Sequence, residues 1–156
     1  MTWQAFAAGA PEMAKLAKEQ FAQSGMALIG TIRSDGSPRI SCVEPCILDG
    51  ALYLGMMWQS RKALDLLSDP RMVIHNAMCS NVGDERELSL RGRAQAIHDP
   101  DVRLRYAEAV KRTSWEGADF HLFAVEIESA ALVTYGNGEQ SVELWPQGIR
   151  FKRPYG

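Results

Sequence analysis

Three consecutive side chains, Ser60, Arg61 and Lys62, have the types and spacing that best fit a chemical task in this sequence. They open the segment SRKALDLLS, which reads as a short helix over 60–68 with Ala63, Leu64 and Leu67 as its apolar stripe. A helix N-terminus presents unpaired N–H groups and the positive end of the dipole, so it attracts anions. Ser60 adds a hydroxyl and a cap, Arg61 a fork that matches two phosphate oxygens, and Lys62 a point charge. The competing reading is a solvated basic pair, neutralised by Asp65 and Asp69 of the same helix.

Other residues extend or limit this site. Arg39 starts a strand, and Arg91 and Arg93 share one strand face; each could enlarge an anion site or simply be an exposed arginine. Glu87 and Ser89 lie on that same face and could hydrogen-bond a ring system. Trp58 and Gln59, just before the basic segment, could line a planar cofactor or close the end of the fold. No nucleophile–base arrangement is present: His75, His98 and His121 are far apart, without a G-x-S-x-G elbow or an H-E-x-x-H run. Cys42, Cys46 and Cys79 are odd in number; a zinc site could be drawn from Cys42, Cys46, His75 and Cys79, against ordinary small core cysteines. An enzyme built on this chain would therefore rely on a bound cofactor for its reaction.

The bulk properties narrow the class. The 156 residues suit a single domain, 1–156, and a hydrophobic share of 46% allows one sizeable core. A net charge of -2 argues against a dedicated nucleic-acid binder. No apolar run approaches the roughly 20 residues needed to span a bilayer, and the N-terminus does not read as a secretory signal. Cytoplasm is the expected location.

Strands and tight turns must position the site. A helix is expected over about 11–24, with Met13, Leu16, Ala17 and Phe21 on one face and Gly25 ending it. A meander follows: a strand to Arg33, the SDGSP turn, a strand from Arg39 to Ile47, the Asp49-Gly50 turn, and a strand over 51–57. After the basic helix come strands over 71–78 and 87–97. A helix then follows Asp99-Pro100, with Val102, Tyr106, Ala109 and Val110 facing inward. Trp3, Trp115, Trp145 and Tyr155 suit core closure or a contact between copies. Strands over 120–127, 130–135, 141–145 and 149–152 complete the chain. The expected class is mainly β: an antiparallel, Greek-key-like split β-barrel of six or more strands with short flanking helices, closure removing exposed edges.

With these segments in place, the chain resembles the pyridoxamine 5′-phosphate oxidase-like, FMN-binding split-barrel family over roughly residues 11–153. The resemblance rests on MALIGTIRSDGSPRIS (26–41), DGALYLGM (49–56), SRKALDLLSDPRMVIH (60–75) and ELSLRGRAQAIHDP (87–100). It implies a homodimer with two cofactor sites between subunits, and FMN or its deazaflavin relative coenzyme F420 as cofactor. By position, Arg61 and Lys62 would hold the cofactor phosphate, beside the Ser60 already read as part of the anion site. Gly55, Met56 and Met57 would lie beside the ring, with Ser41 and Val43 on the adjacent strand. Glu87 stands where the oxidase has a ring-contacting glutamine, and Ser41 where it has a phosphate-side arginine, with Arg39 as the candidate substitute. The oxidase's C-terminal arginine-histidine segment is not evident in ELWPQGIRFKRPYG. The resemblance thus implies a flavin-dependent oxidoreductase of a small organic substrate rather than the vitamin B6 oxidase. A deazaflavin-dependent reductase and a non-catalytic flavin or haem carrier or sensor are the alternatives.

Overall fold

The structure, a computed structural model, describes residues 1–77, 86–110 and 119–154. Cys79, Trp115 and Tyr155 lie outside them. The chain begins with α1 (Trp3–Gly9), which the sequence reading missed, and α2 (Pro11–Ser24). Thr2 Oγ1 caps α1 by accepting from Ala5 N, and Trp3 and Phe6 enter the core. Gly25, at φ 67°, ends α2 where a side chain would be strained.

The remaining elements are β1 (Ala27–Ile32), β2 (Pro38–Val43), β3 (Pro45–Leu48), β4 (Ala51–Met57), α3 (Arg61–Ser68), β5 (Arg71–Asn76), β6 (Arg86–Ala96), α4 (Pro100–Val110), β7 (Phe120–Gly136), β8 (Glu139–Trp145) and β9 (Ile149–Pro154). All strand pairs are antiparallel, in the order β2-β1-β5-β6-β7-β4-β3. β8 pairs with the second half of β7, and β9 with β8 alone. Ile29, Ile74, Leu88, Leu90, Leu54 and Ile127 alternate with more exposed residues and form the main core, under α1 and α2. A second cluster of Tyr53, Tyr106, Phe120 and Leu122 lies beneath α4, whose start is capped by Asp99. Ala107, rather than the expected Ala109, is the buried alanine of that helix.

The expected closed barrel does not form. β2 and β3 are consecutive in the chain but lie at the two ends of the hydrogen-bonded order, and no ladder joins them. The expected single strand from Arg39 to Ile47 breaks at Glu44, before Pro45; β2 pairs with β1, and β3 with β4. The sheet therefore curls until its ends approach without pairing, and α3 packs against β1 and β4 at that opening. The two strands expected over 120–135 are instead one, β7, long enough to pair with both β4 and β8 on one edge.

Candidate functional site

The opening between β2 and β4 is lined by two strand edges without ladder partners. β2 uses one edge for β1 and, among the described residues, has no strand paired on the other. β4 pairs with β7 through Met57, but with β3 only as far as Leu54, so Gly55, Met56 and Met57 keep one edge free of a ladder. Backbone N–H and C=O groups at such edges need partners. One is supplied by a side chain: Lys62 Nζ donates to the Cys42 carbonyl at 2.9 Å, crossing from α3 to β2.

A tight turn delivers the start of α3 to this opening. Ser60 N donates to Met57 O at 3.1 Å, and Gln59 sits at φ 57°, in the left-handed region. That conformation costs a non-glycine residue about 1 kcal/mol, and it aims the following residues. Ser60 occupies the N-cap position with extended backbone, yet its side chain makes no cap bond. Its Oγ is buried and, among the described residues, has no hydrogen-bond partner. The expected serine cap is thus corrected: the hydroxyl is withheld from the helix and left unsatisfied, a state that costs about 1–3 kcal/mol. The helix stripe is corrected too, since Ala63 and Leu66 are buried whereas Leu67 is exposed.

The carboxylates expected to neutralise this cluster are engaged elsewhere. Asp65 is buried and accepts from Arg39 Nε at 2.6 Å and Thr31 Oγ1 at 2.8 Å. Burial works against its charge, but the bonds from Arg39 and Thr31 outweigh it and hold its pKa below the usual carboxylate value. Asp69 pairs with Arg71, whose hydrogen bonds lower its pKa to about 2. Among the described residues Arg61 has no ion-pair or hydrogen-bond partner, and it is exposed on the first turn of α3. The result is an uncompensated cation, an orphaned hydroxyl and a helix N-terminus in one place.

The other sequence-predicted residues divide. Ser41 and Val43 share one face of β2 with Arg39, and Val43 is buried. The Met56 side chain is in the main core, leaving only its backbone for the opening, whereas Met57 is 68% exposed. Glu87 is not brought to this cluster: β1 and β5 separate its strand from β2. At ~4.8 Å per strand that is about 14 Å. Its carboxylate instead accepts from Tyr135 OH at 2.9 Å, and Gln140 Nε2 donates to the same hydroxyl. Arg93 pairs with Glu128, leaving Arg91 as the only arginine of the trio Arg39, Arg91 and Arg93 without a partner among the described residues. Among the described residues no group of His, Cys, Asp and Glu side chains could hold a metal ion.

Two features escaped the sequence reading. One is the Thr31–Asp65–Arg39 cluster. The other is a stack of Trp58 on His121, ring centroids 4.4 Å apart and planes 11° apart. Both join residues distant in the chain, and no local spacing signals either.

The family model for pyridoxamine 5′-phosphate oxidase matches residues 13–134, which include both edges of the opening, α3 and β6. The chain belongs to that family. Solved structures show the same fold within the family's range. A NimC/NimA family protein of Clostridium acetobutylicum is 18% identical, with 83% of this chain and 90% of that chain covered at a TM-score of 0.64. The haem storage protein HutZ of Vibrio cholerae is also 18% identical, with coverage of 81% and 94% at 0.62. A Clostridium acetobutylicum protein of the pyridoxinephosphate oxidase family, related to general stress protein 26, is 13% identical, with 88% and 91% covered at 0.62. No curated protein is significantly similar to the chain in sequence. Among the described residues no helix is long and apolar enough to cross a membrane.

Proposed function

We propose that this member of the oxidase family binds FMN at the opening between β2 and β4 and acts as a flavin-dependent oxidoreductase on a small organic substrate. The observation that carries the reading is the orphaned Ser60 hydroxyl beside the unpaired Arg61 at the start of α3. A phosphate monoester accepts from both, and from the free N–H groups of the first turn. Lys62, tied to Cys42 by one of its three donors, keeps its charge at the same place. The free edges of Gly55–Met57 and of Ser41–Val43 suit a planar ring whose rim alternates donors and acceptors. FMN, when bound, supplies hydride transfer at its ring; the chain fixes its position and offers N–H donors to charge that develops there.

The same geometry favours a homodimer. Glu87, about three strand spacings from Ser41, reaches a ring in the opening only from a second copy of the chain. Leu28, Ile40, Ile149 and Phe151, all exposed, supply apolar surface for that contact. FMN is favoured over coenzyme F420 because the longer anionic tail needs a basic groove, and Arg39 and Arg93 are already paired. In this reading the chain is one domain over 1–156.

The native protein should show flavin absorbance as purified or acquire it on adding FMN, with FMN binding more tightly than F420. A colourless protein with no affinity for FMN would refute the proposal, and tighter F420 binding would replace the cofactor.

A further inference from the structure

The Trp58–His121 stack lies within a single turn of the anion site, and the reading above leaves it without a role. Trp58 and Ser60 belong to the turn closed by the Ser60 N to Met57 O bond. One face of the indole is covered by the imidazole of His121 on β7, which Phe123 flanks on that strand at 6.2 Å. Trp58 as a residue is nevertheless 53% exposed, which leaves indole surface away from the stack open to solvent, next in the chain to the 68% exposed Met57.

The arrangement is held at a cost. His121 Nε2 is buried and has no hydrogen-bond partner among the described residues, and Gln59, next to the indole, sits in the left-handed region. Burial, then the charges of Arg103 and His98, hold the imidazole pKa below its ordinary value, so it stacks as a neutral ring. The stack limits the rotamers open to the indole: its covered face gains contact with the imidazole, while the rest of the ring stays exposed. An indole already locked flat offers a planar ligand a stacking surface with little further ordering to lose.

We propose that the outer face of Trp58, with Met57 beside it, is a binding platform for a flat, uncharged conjugated ring, and so sets the substrate class of the adjacent site. The proposal rests on the cofactor reading only for calling that ring a substrate; the platform itself needs no flavin. The ring packs face to face on the indole, and the thioether of Met57 covers its edge. The anion-binding end of the site, at Ser60 and Arg61, is left to the phosphate.

The test compares 2-naphthol with its saturated counterpart decahydro-2-naphthol by isothermal titration, without and with FMN, for the wild-type chain, Trp58→Leu and Trp58→Phe. Stacking on one aromatic side chain is worth about 1–3 kcal/mol. The wild-type chain should therefore prefer the flat probe by about fivefold or more. Trp58→Leu should abolish that preference and Trp58→Phe retain most of it, with FMN affinity unchanged and a cooperative thermal transition showing that both variants are folded. Equal binding of the two probes by the wild-type chain, or an undiminished preference in Trp58→Leu, would overturn the proposal. So would a loss of FMN affinity in Trp58→Leu, which would assign the indole to the cofactor. Failure of the wild-type chain to bind FMN would sink the flavin reading alone, since the flavin-free titrations test the platform independently.

Discussion

The β6–β7 ladder and the β2–β4 opening are built from the same kind of strand and treat their backbones in opposite ways. β6 and β7 pair continuously from Arg86 opposite Thr134 to Ala96 opposite Phe123, with one bulge at Arg91/Gly92. There the strands are so close that a Cβ on Gly92 would lie 1.9 Å from the Glu126 carbonyl oxygen. β2 and β4 approach and do not pair; the α3 side chain of Lys62 instead donates to the Cys42 carbonyl of β2. The contrast teaches that stability and binding capacity are separated in this sheet. A paired backbone is spent on itself, and an unpaired edge remains available to a ligand.

Mutations can break each side of that comparison. The largest effect is expected on the ladder: Gly92→Ala forces the backbone apart and should cost about 3 kcal/mol, at the upper end of overpacking, read as a drop in the denaturant midpoint. Next is the clamp at the opening. Arg39→Ala leaves Asp65 buried and charged; full burial of a broken pair costs about 3–5 kcal/mol. With the arginine side chain 23% exposed, about 2 kcal/mol is expected.

That clamp also has a pH signature. Because the Asp65 pKa lies below 3.8 in the folded chain, its contribution is present above pH 3.8 and is lost as pH falls through the folded value. Arg39→Ala should remove part of this acid dependence, measured by thermal unfolding from pH 5 to 2. His121 gives a weaker effect in a different window. Its folded pKa is below 6.5, so the unfolded chain takes up the proton first, and stability should decline as pH falls from 6.5 toward the folded value. In Trp58→Leu, where the imidazole is uncovered, that slope should flatten. The smallest change is Gln59→Gly, which relieves the left-handed φ but loosens the unfolded chain, for a net gain of a few tenths of a kcal/mol. A loss above about 1 kcal/mol would show that the Gln59 side chain is itself required.

Much of the fold was legible in the sequence because turns and alternation are local. Asp35-Gly36, Asp49-Gly50 and Gly25 mark chain reversals and a helix end through their own conformational preferences. What was not legible is who pairs with whom. The alternation runs through Glu44 without interruption, so one strand was expected where the chain leaves one partner for another; only the missing N–H of Pro45 hints at the break. The anion segment at Ser60–Lys62 was readable from type and spacing. Its decisive details were not: Asp65 turns to Arg39, 26 positions earlier, rather than to its helix neighbours, and Ser60 caps nothing. The short α1 has too few turns for periodicity to register, with Thr2, Trp3 and Phe6 its only signals.

The most direct measurement is the ratio of FMN to riboflavin affinity, since the two ligands differ by the phosphate alone. It should be determined for the wild-type chain and for Arg61→Ala/Lys62→Ala, with thermal unfolding as the check on folding. A phosphate held at the start of α3 requires a wild-type preference for FMN of at least about a hundredfold, two charge-assisted contacts at 1.5–3 kcal/mol each. The double variant should bring that ratio down by at least about tenfold, with riboflavin binding unchanged. An unchanged ratio in a folded variant would contradict the account.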